Sequence, residues 1–211
     1  SGRQSLTSTI GVGLYISILV FLFYLYLFTY RRKLLDNLRH VLFFTILMAL
    51  VIASAFLVLR YASVGLIFLI PFAWVPIITR VFYDSRTAIF IHLITVFIVS
   101  IAAPAPYVFL LLQVITGIVA VISLRDMTQR AQLAQTALLM FLTYSIAYTA
   151  ITMLVTGNVS NIEYHYYIYF VINAVLVICA YGFIFLFERT FGLVSNITLV
   201  ELTNVNSNLM L

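Results

Sequence analysis

Along the chain, apolar runs as long as membrane-spanning helices alternate with short clusters that hold most of the charge. The runs predict helical spans at about residues 10–30, 41–59, 63–82, 87–103, 107–124, 133–155 and 166–187, because roughly 20 helical residues cross about 30 Å of hydrocarbon. Two spans carry punctuation. Pro71 and Pro76, with Trp74 between them, stand near the middle of the third, where lost backbone donors predict a bent helix whose freed carbonyls need partners. Pro104-Ala105-Pro106 closes the fourth and predicts a tight antiparallel return. After Phe187 the pattern breaks at Glu188-Arg189. Thr198-Leu199-Val200-Glu201 then has the form of a helix capping box, and Leu202, Val205 and Leu209 recur at helical spacing. The expected organisation is a transmembrane domain over residues 1–190 and, over 191–211, the start of a connector to a downstream domain.

Composition sharpens the class. Hydrophobic residues make up 64% and charged residues 8% of the chain, far from a soluble domain, so lipid is the expected solvent for an all-α helix bundle. The net charge of +5 sits between the apolar runs, without the basic, aromatic-interleaved stripe that nucleic acid requires, so no nucleic-acid partner is expected. Arg31, Arg32, Lys33, Arg39, Arg80, Arg86, Arg125, Arg130 and Arg189 fall on one side of a seven-span path, and Arg3 and Arg60 on the other. The positive-inside rule then predicts an outside N-terminus and a cytosolic C-terminus. Cys179 is the single cysteine, which excludes an intrachain disulfide and suggests a small apolar group packed inside the last span. The proline-bearing third span has no counterpart at matching distance, unlike the paired interrupted helices of inverted-repeat transporters.

Candidate chemistry is sparse. His92 is the one ionisable side chain well inside a span, and Gln113 and Asn173 are amides that need partners in lipid. In the sixth span Thr136, Tyr144, Tyr148 and Thr152 recur at multiples of four on one helical face, which points them to the bundle interior or a cavity. His92, Gln113, Tyr144, Tyr148, Thr152 and Asn173 are therefore the candidate interior or ligand-contacting set, with interhelix bonding as the plainer reading. Glu163 and His165 supply two donors in one loop, short of a metal site. No phosphate loop, His-Glu-x-x-His helix or nucleophile elbow occurs, so neither a catalytic set nor a metal site is expected in this segment. A small transporter or channel, with a water path along His92, Gln113 and the sixth-span hydroxyls, is the alternative reading.

The segment Phe187-Glu188-Arg189-Thr190-Phe191-Gly192-Leu193-Val194-Ser195, continuing through Leu199-Val200-Glu201-Leu202-Thr203-Asn204-Val205-Asn206, resembles the membrane exit and linker of bacterial seven-transmembrane HD phosphodiesterases of the PgpH type. Ile70-Pro71-Phe72-Ala73 and Phe82-Tyr83-Asp84-Ser85-Arg86-Thr87-Ala88 resemble that family's third and fourth spans, while Asn208 stands where its linker more often has Pro. The resemblance implies a domain of the bacterial cytoplasmic membrane that anchors a cytosolic HD domain, senses a signal and regulates that domain, with an extracellular N-terminal region; a second copy of the chain, in a homo-oligomer, is a further partner to test for. It also implies that the HD domain hydrolyses cyclic di-AMP at two divalent metal ions, with no cofactor in the present segment. Glu188, Arg189, Phe191 and Glu201 are the residues expected to couple the last span to that domain.

Overall fold

The computed structural model describes residues 2–62, 64–124, 132–194 and 199. The chain runs through α1 (Gly2–Tyr30), the single turn α2 (Arg32–Leu35), α3 (Leu38–Tyr61), a 3-10 helix (Val64–Leu69), α4 (Trp74–Phe82), α5 (Ser85–Ser100), α6 (Pro106–Ser123), α7 (Gln132–Thr156), a short 3-10 turn (Val159–Asn161) and α8 (His165–Phe191). No strand occurs among the described residues. Among the described residues, six stretches are long and apolar enough to cross a membrane: Ser5–Tyr30, Leu38–Tyr61, Gly65–Phe82, Pro106–Ser123, Gln132–Thr156 and His165–Phe191. The fourth expected span corresponds to α5, which is apolar but has 16 residues, a rise of about 24 Å.

α5 sits at the centre of the bundle. α5 buries Thr87, Ala88, Ile91, His92, Ile94, Thr95, Val96, Ile98, Val99 and Ser100, and it packs against α1, α3, α4 and α6. A helix apolar all round is a core helix. α1 is the reverse: only 11% of its apolar window is buried, and its main helical neighbours are α2 and α5.

The third span departs from expectation. Instead of one bent helix, the chain makes a 3-10 helix to Leu69, turns through Pro71 and restarts as α4 at Trp74. Pro76 falls in the first turn of α4, where its missing donor has no intrahelical partner to lose. Local bonds from Phe72 N to Ile70 O at 2.9 Å and from Trp74 N to Pro71 O at 2.9 Å close the turn. α8 adds a further donor, Asn173 Nδ2, which meets Phe68 O at 3.0 Å and shares Ile70 O with the turn at 2.9 Å. Trp74 Nε1 reciprocates, donating to Leu176 O of α8 at 2.8 Å. Irregular backbone is tolerated at membrane depth when protein partners satisfy it in this way.

α8 also differs at both ends from the expected 166–187. It continues through Phe191 and stops at Gly192, whose φ of 63° and N–H bond to Glu188 O make a left-handed cap. Cys179 is exposed on the outer surface of α8 rather than packed within the bundle. The capping box over 198–201 lies outside the described residues apart from Leu199.

Candidate functional site

The interior polar side chains form a relay across four helices. His92 of α5 is 2% exposed, and its Nε2 meets the backbone carbonyl of Gln113 in α6 at 2.9 Å. A carbonyl only accepts, so Nε2 carries the proton. Gly117, one turn beyond Gln113, is what makes room: a Cβ there would collide with the imidazole ring. The Gln113 side chain turns the other way and accepts from the Tyr144 hydroxyl of α7 at 2.8 Å. The Tyr144 ring stacks on Phe170 of α8 at 5.3 Å, and one turn on in α8 stands Asn173, bound to the broken span. Gln113 Nε2 and Asn173 Oδ1 have no hydrogen-bond partner among the described residues.

Of the candidate set, His92, Gln113 and Tyr144 are thus brought into direct contact, and Asn173 joins them through Phe170. Tyr148 and Thr152 lie elsewhere. They border a cavity of about 250 Å³ near the Pro104 turn, together with Phe68, Phe109 and Tyr166. Its walls are mostly apolar, and the Tyr148 hydroxyl accepts from Glu163 N at 3.3 Å at its rim. Phe68, on the 3-10 helix, lies edge-on to Tyr166 at 5.2 Å and Phe170 at 6.0 Å. The space therefore touches the segment whose carbonyls Asn173 holds. Glu163 and His165 form an exposed pair at 3.3 Å, and no group of three metal-binding side chains occurs among the described residues.

The opposite, basic end holds α8 at its exit. Phe43 of α3 is fully buried, with ring centroids of Phe44, Phe82, Tyr83, Phe187 and Phe191 between 5.1 and 5.9 Å away. His40 Nδ1 and the Tyr83 hydroxyl share a hydrogen bond of 2.7 Å. Burial pushes the Tyr83 phenol above its ordinary value, so it stays protonated. Beside it, Arg31 pairs with Asp84 at 2.5 Å, and Thr87 donates to the same carboxylate oxygen at 2.6 Å. Partial burial pushes the Asp84 carboxyl up, but the Thr87 hydroxyl and the Arg31 guanidinium outweigh it and leave the pKa lowered.

Among the residues expected to couple α8 onward, Phe191 stacks on Phe187 at 5.7 Å within this cluster. Glu188 supplies the carbonyl for the Gly192 cap, Arg189 is exposed, and Glu201 lies outside the described residues. Phe43, Tyr83 and Gly117 were not among the sequence candidates. An aromatic on a hydrophobic helix carries no distinguishing pattern, but a glycine four residues after a buried glutamine was a readable sign of close helix approach.

Compared with known families, residues 6–195 match one described as 7TM receptor with intracellular HD hydrolase. No curated protein and no solved structure matches the chain.

Proposed function

Since the chain belongs to the family of 7TM receptors with an intracellular HD hydrolase, we propose that it senses a signal in or beyond the membrane and sets the activity of a cytosolic HD phosphodiesterase acting on cyclic di-AMP. In this reading α5 completes seven crossings, the N-terminus lies outside, and α8 delivers the chain to the cytosol of a bacterial cell. In this reading the two divalent metal ions of the hydrolase belong to its HD domain.

One observation carries the proposal. α8 is fastened to the broken span by Asn173 and Trp74, and its exit is clamped by Phe43. The broken span starts at the cavity and ends at the clamp, because Phe68 lines the first and Phe82 and Tyr83 belong to the second. Filling or emptying the cavity would shift the 3-10 helix, exchange the carbonyls that Asn173 holds, and rotate the exit of α8. Such a switch needs two packings of similar energy, and Gln113 Nε2 and Asn173 Oδ1, unpartnered among the described residues, have bonds left to make in a second one. The left-handed cap at Gly192 makes the exit a joint between α8 and the connector.

The transporter alternative requires His92, Gln113 and the α7 hydroxyls to face a water path. His92, Gln113 and Tyr144 instead bond to one another inside the bundle, away from Tyr148 and Thr152, which supports the regulatory reading.

The test is hydrolysis of cyclic di-AMP by the protein carrying its HD domain, reconstituted in bilayers. Asn173→Leu and a two-glycine insertion after Gly192 should each change the rate, although neither touches the hydrolase. Unchanged rates in both would sink the coupling. A purified protein that hydrolyses no cyclic dinucleotide would sink the substrate assignment.

A further inference from the structure

Two adjoining cavities flank Arg31 at the basic end. One, of about 460 Å³, is lined by residues that include Tyr30, Arg31, Arg32, Lys33 and Asp84. The other, of about 390 Å³, lies between α1 and α5 and is lined by Tyr26, Tyr30, Arg31 and Arg86. Four cationic side chains thus face these spaces, and the one carboxylate among the lining residues, Asp84, is already engaged by Arg31 and Thr87. The result is a local excess of positive charge in a concave site, which attracts anions.

These cations are positioned rather than free-swinging. Thr87 donates to Asp84, so its own oxygen accepts from the Tyr26 hydroxyl at 3.0 Å. The chain Tyr26 to Thr87 to Asp84 fixes the Arg31 guanidinium on the wall shared by both cavities. Arg32 lies over the Phe28 ring with its guanidinium carbon 5.1 Å from the centroid. A guanidinium held in place meets phosphate oxygens through parallel N–H bonds.

We propose that Arg31, Arg32, Lys33 and Arg86 form a binding site for the headgroup of an anionic phospholipid, with its acyl chains lying along α1. The apolar half of this occupant is argued from α1 itself. Tyr24, Leu25 and Phe28, in the last two turns before the basic cluster, are 49%, 43% and 44% exposed, and the helix buries little of its apolar surface against the bundle. A phosphate above and a tail below fit both surfaces, whereas a soluble anion would use only the upper one. The site does not depend on what lies downstream of α8, so it stands or falls separately from the proposed hydrolase control.

The experiment uses the protein in phosphatidylcholine bilayers with trace spin-labelled phosphatidylglycerol or spin-labelled phosphatidylcholine, and reads the motionally restricted fraction of each label. Phosphatidylglycerol should be preferred. Lys33→Gln and Arg86→Gln should each cut that preference about fivefold, the equivalent of ~1 kcal/mol per basic side chain. Both residues are exposed, so the variants keep the unfolding temperature of the parent in phosphatidylcholine. Arg60→Gln, at the other end of α3, should leave the preference intact. Equal restriction of the two labels overturns the proposal, as does an equal loss in Arg60→Gln, which would mean general surface charge. Displacement of the lipid by inorganic phosphate would assign the site to a soluble anion and also overturns it.

Discussion

At the basic end, five rings close around Phe43 with centroids 5.1 to 5.9 Å away. At the opposite end, Phe68, Tyr148 and Tyr166 also meet edge to face, at 5.2 to 6.5 Å, but around a space of about 250 Å³. The residue types are alike. α8 supplies rings to both, Phe187 and Phe191 to the first and Tyr166 and Phe170 to the second, and the difference is that the space beside the second is bounded by the small residues of the Ala103-Pro104-Ala105 turn. A filled cluster moves as one body because interiors at crystal-like density do not deform gradually. A cluster with a void can be occupied or empty. One end is therefore suited to transmit a displacement and the other to originate it.

The comparison breaks most readily at Phe43. Phe43→Ala should cost about 3–5 kcal/mol, as expected for deleting a buried ring that cannot be replaced by its neighbours, read as a loss of unfolding free energy in detergent. Tyr148→Ala, beside an existing void, should cost clearly less, and equal losses would erase the distinction between the ends.

The links between the ends come next. Gly117→Leu forces a side chain against the His92 ring and should destabilise by about 1–3 kcal/mol through overpacking. Asn173→Leu strips Phe68 O and Ile70 O of their shared donor and should cost about 1–2 kcal/mol, in the range of interhelix hydrogen bonds in bilayers. Hydrogen exchange should then accelerate in the 3-10 helix while the Phe43 cluster stays protected. Acceleration in both regions alike would mean that they form one unit.

The smallest effect is a pH dependence confined to the basic end. The folded-state pKa of Asp84 is lowered, so its stabilisation is present above the unfolded value of about 3.9 and is lost as pH falls through the folded value. For a pair this exposed the loss is at most about 1 kcal/mol. Asp84→Asn should abolish the part of the dependence below about pH 4, as measured by unfolding temperature against pH, while Glu163→Gln at the other end should leave it in place.

The sequence determined the helical class and the main apolar segments, because lipid demands long apolar runs and leaves charge only between them. It also marked the polar side chains that would need partners, as in His92, Gln113, Tyr144 and Asn173, since an isolated polar group in hydrocarbon is costly wherever it sits. Tertiary structure decided which partners they took. The period of an α-helix puts Tyr144 and Tyr148 on one face, yet Tyr144 ends in the relay and Tyr148 at the cavity, because different helices pass each level of the bundle. Likewise two prolines foretold an irregular third span, but whether it bent or broke depended on Asn173 and Leu176 of α8, some hundred residues away, being there to meet the exposed backbone and Trp74. A local pattern records what a side chain requires, and only the packed fold supplies it.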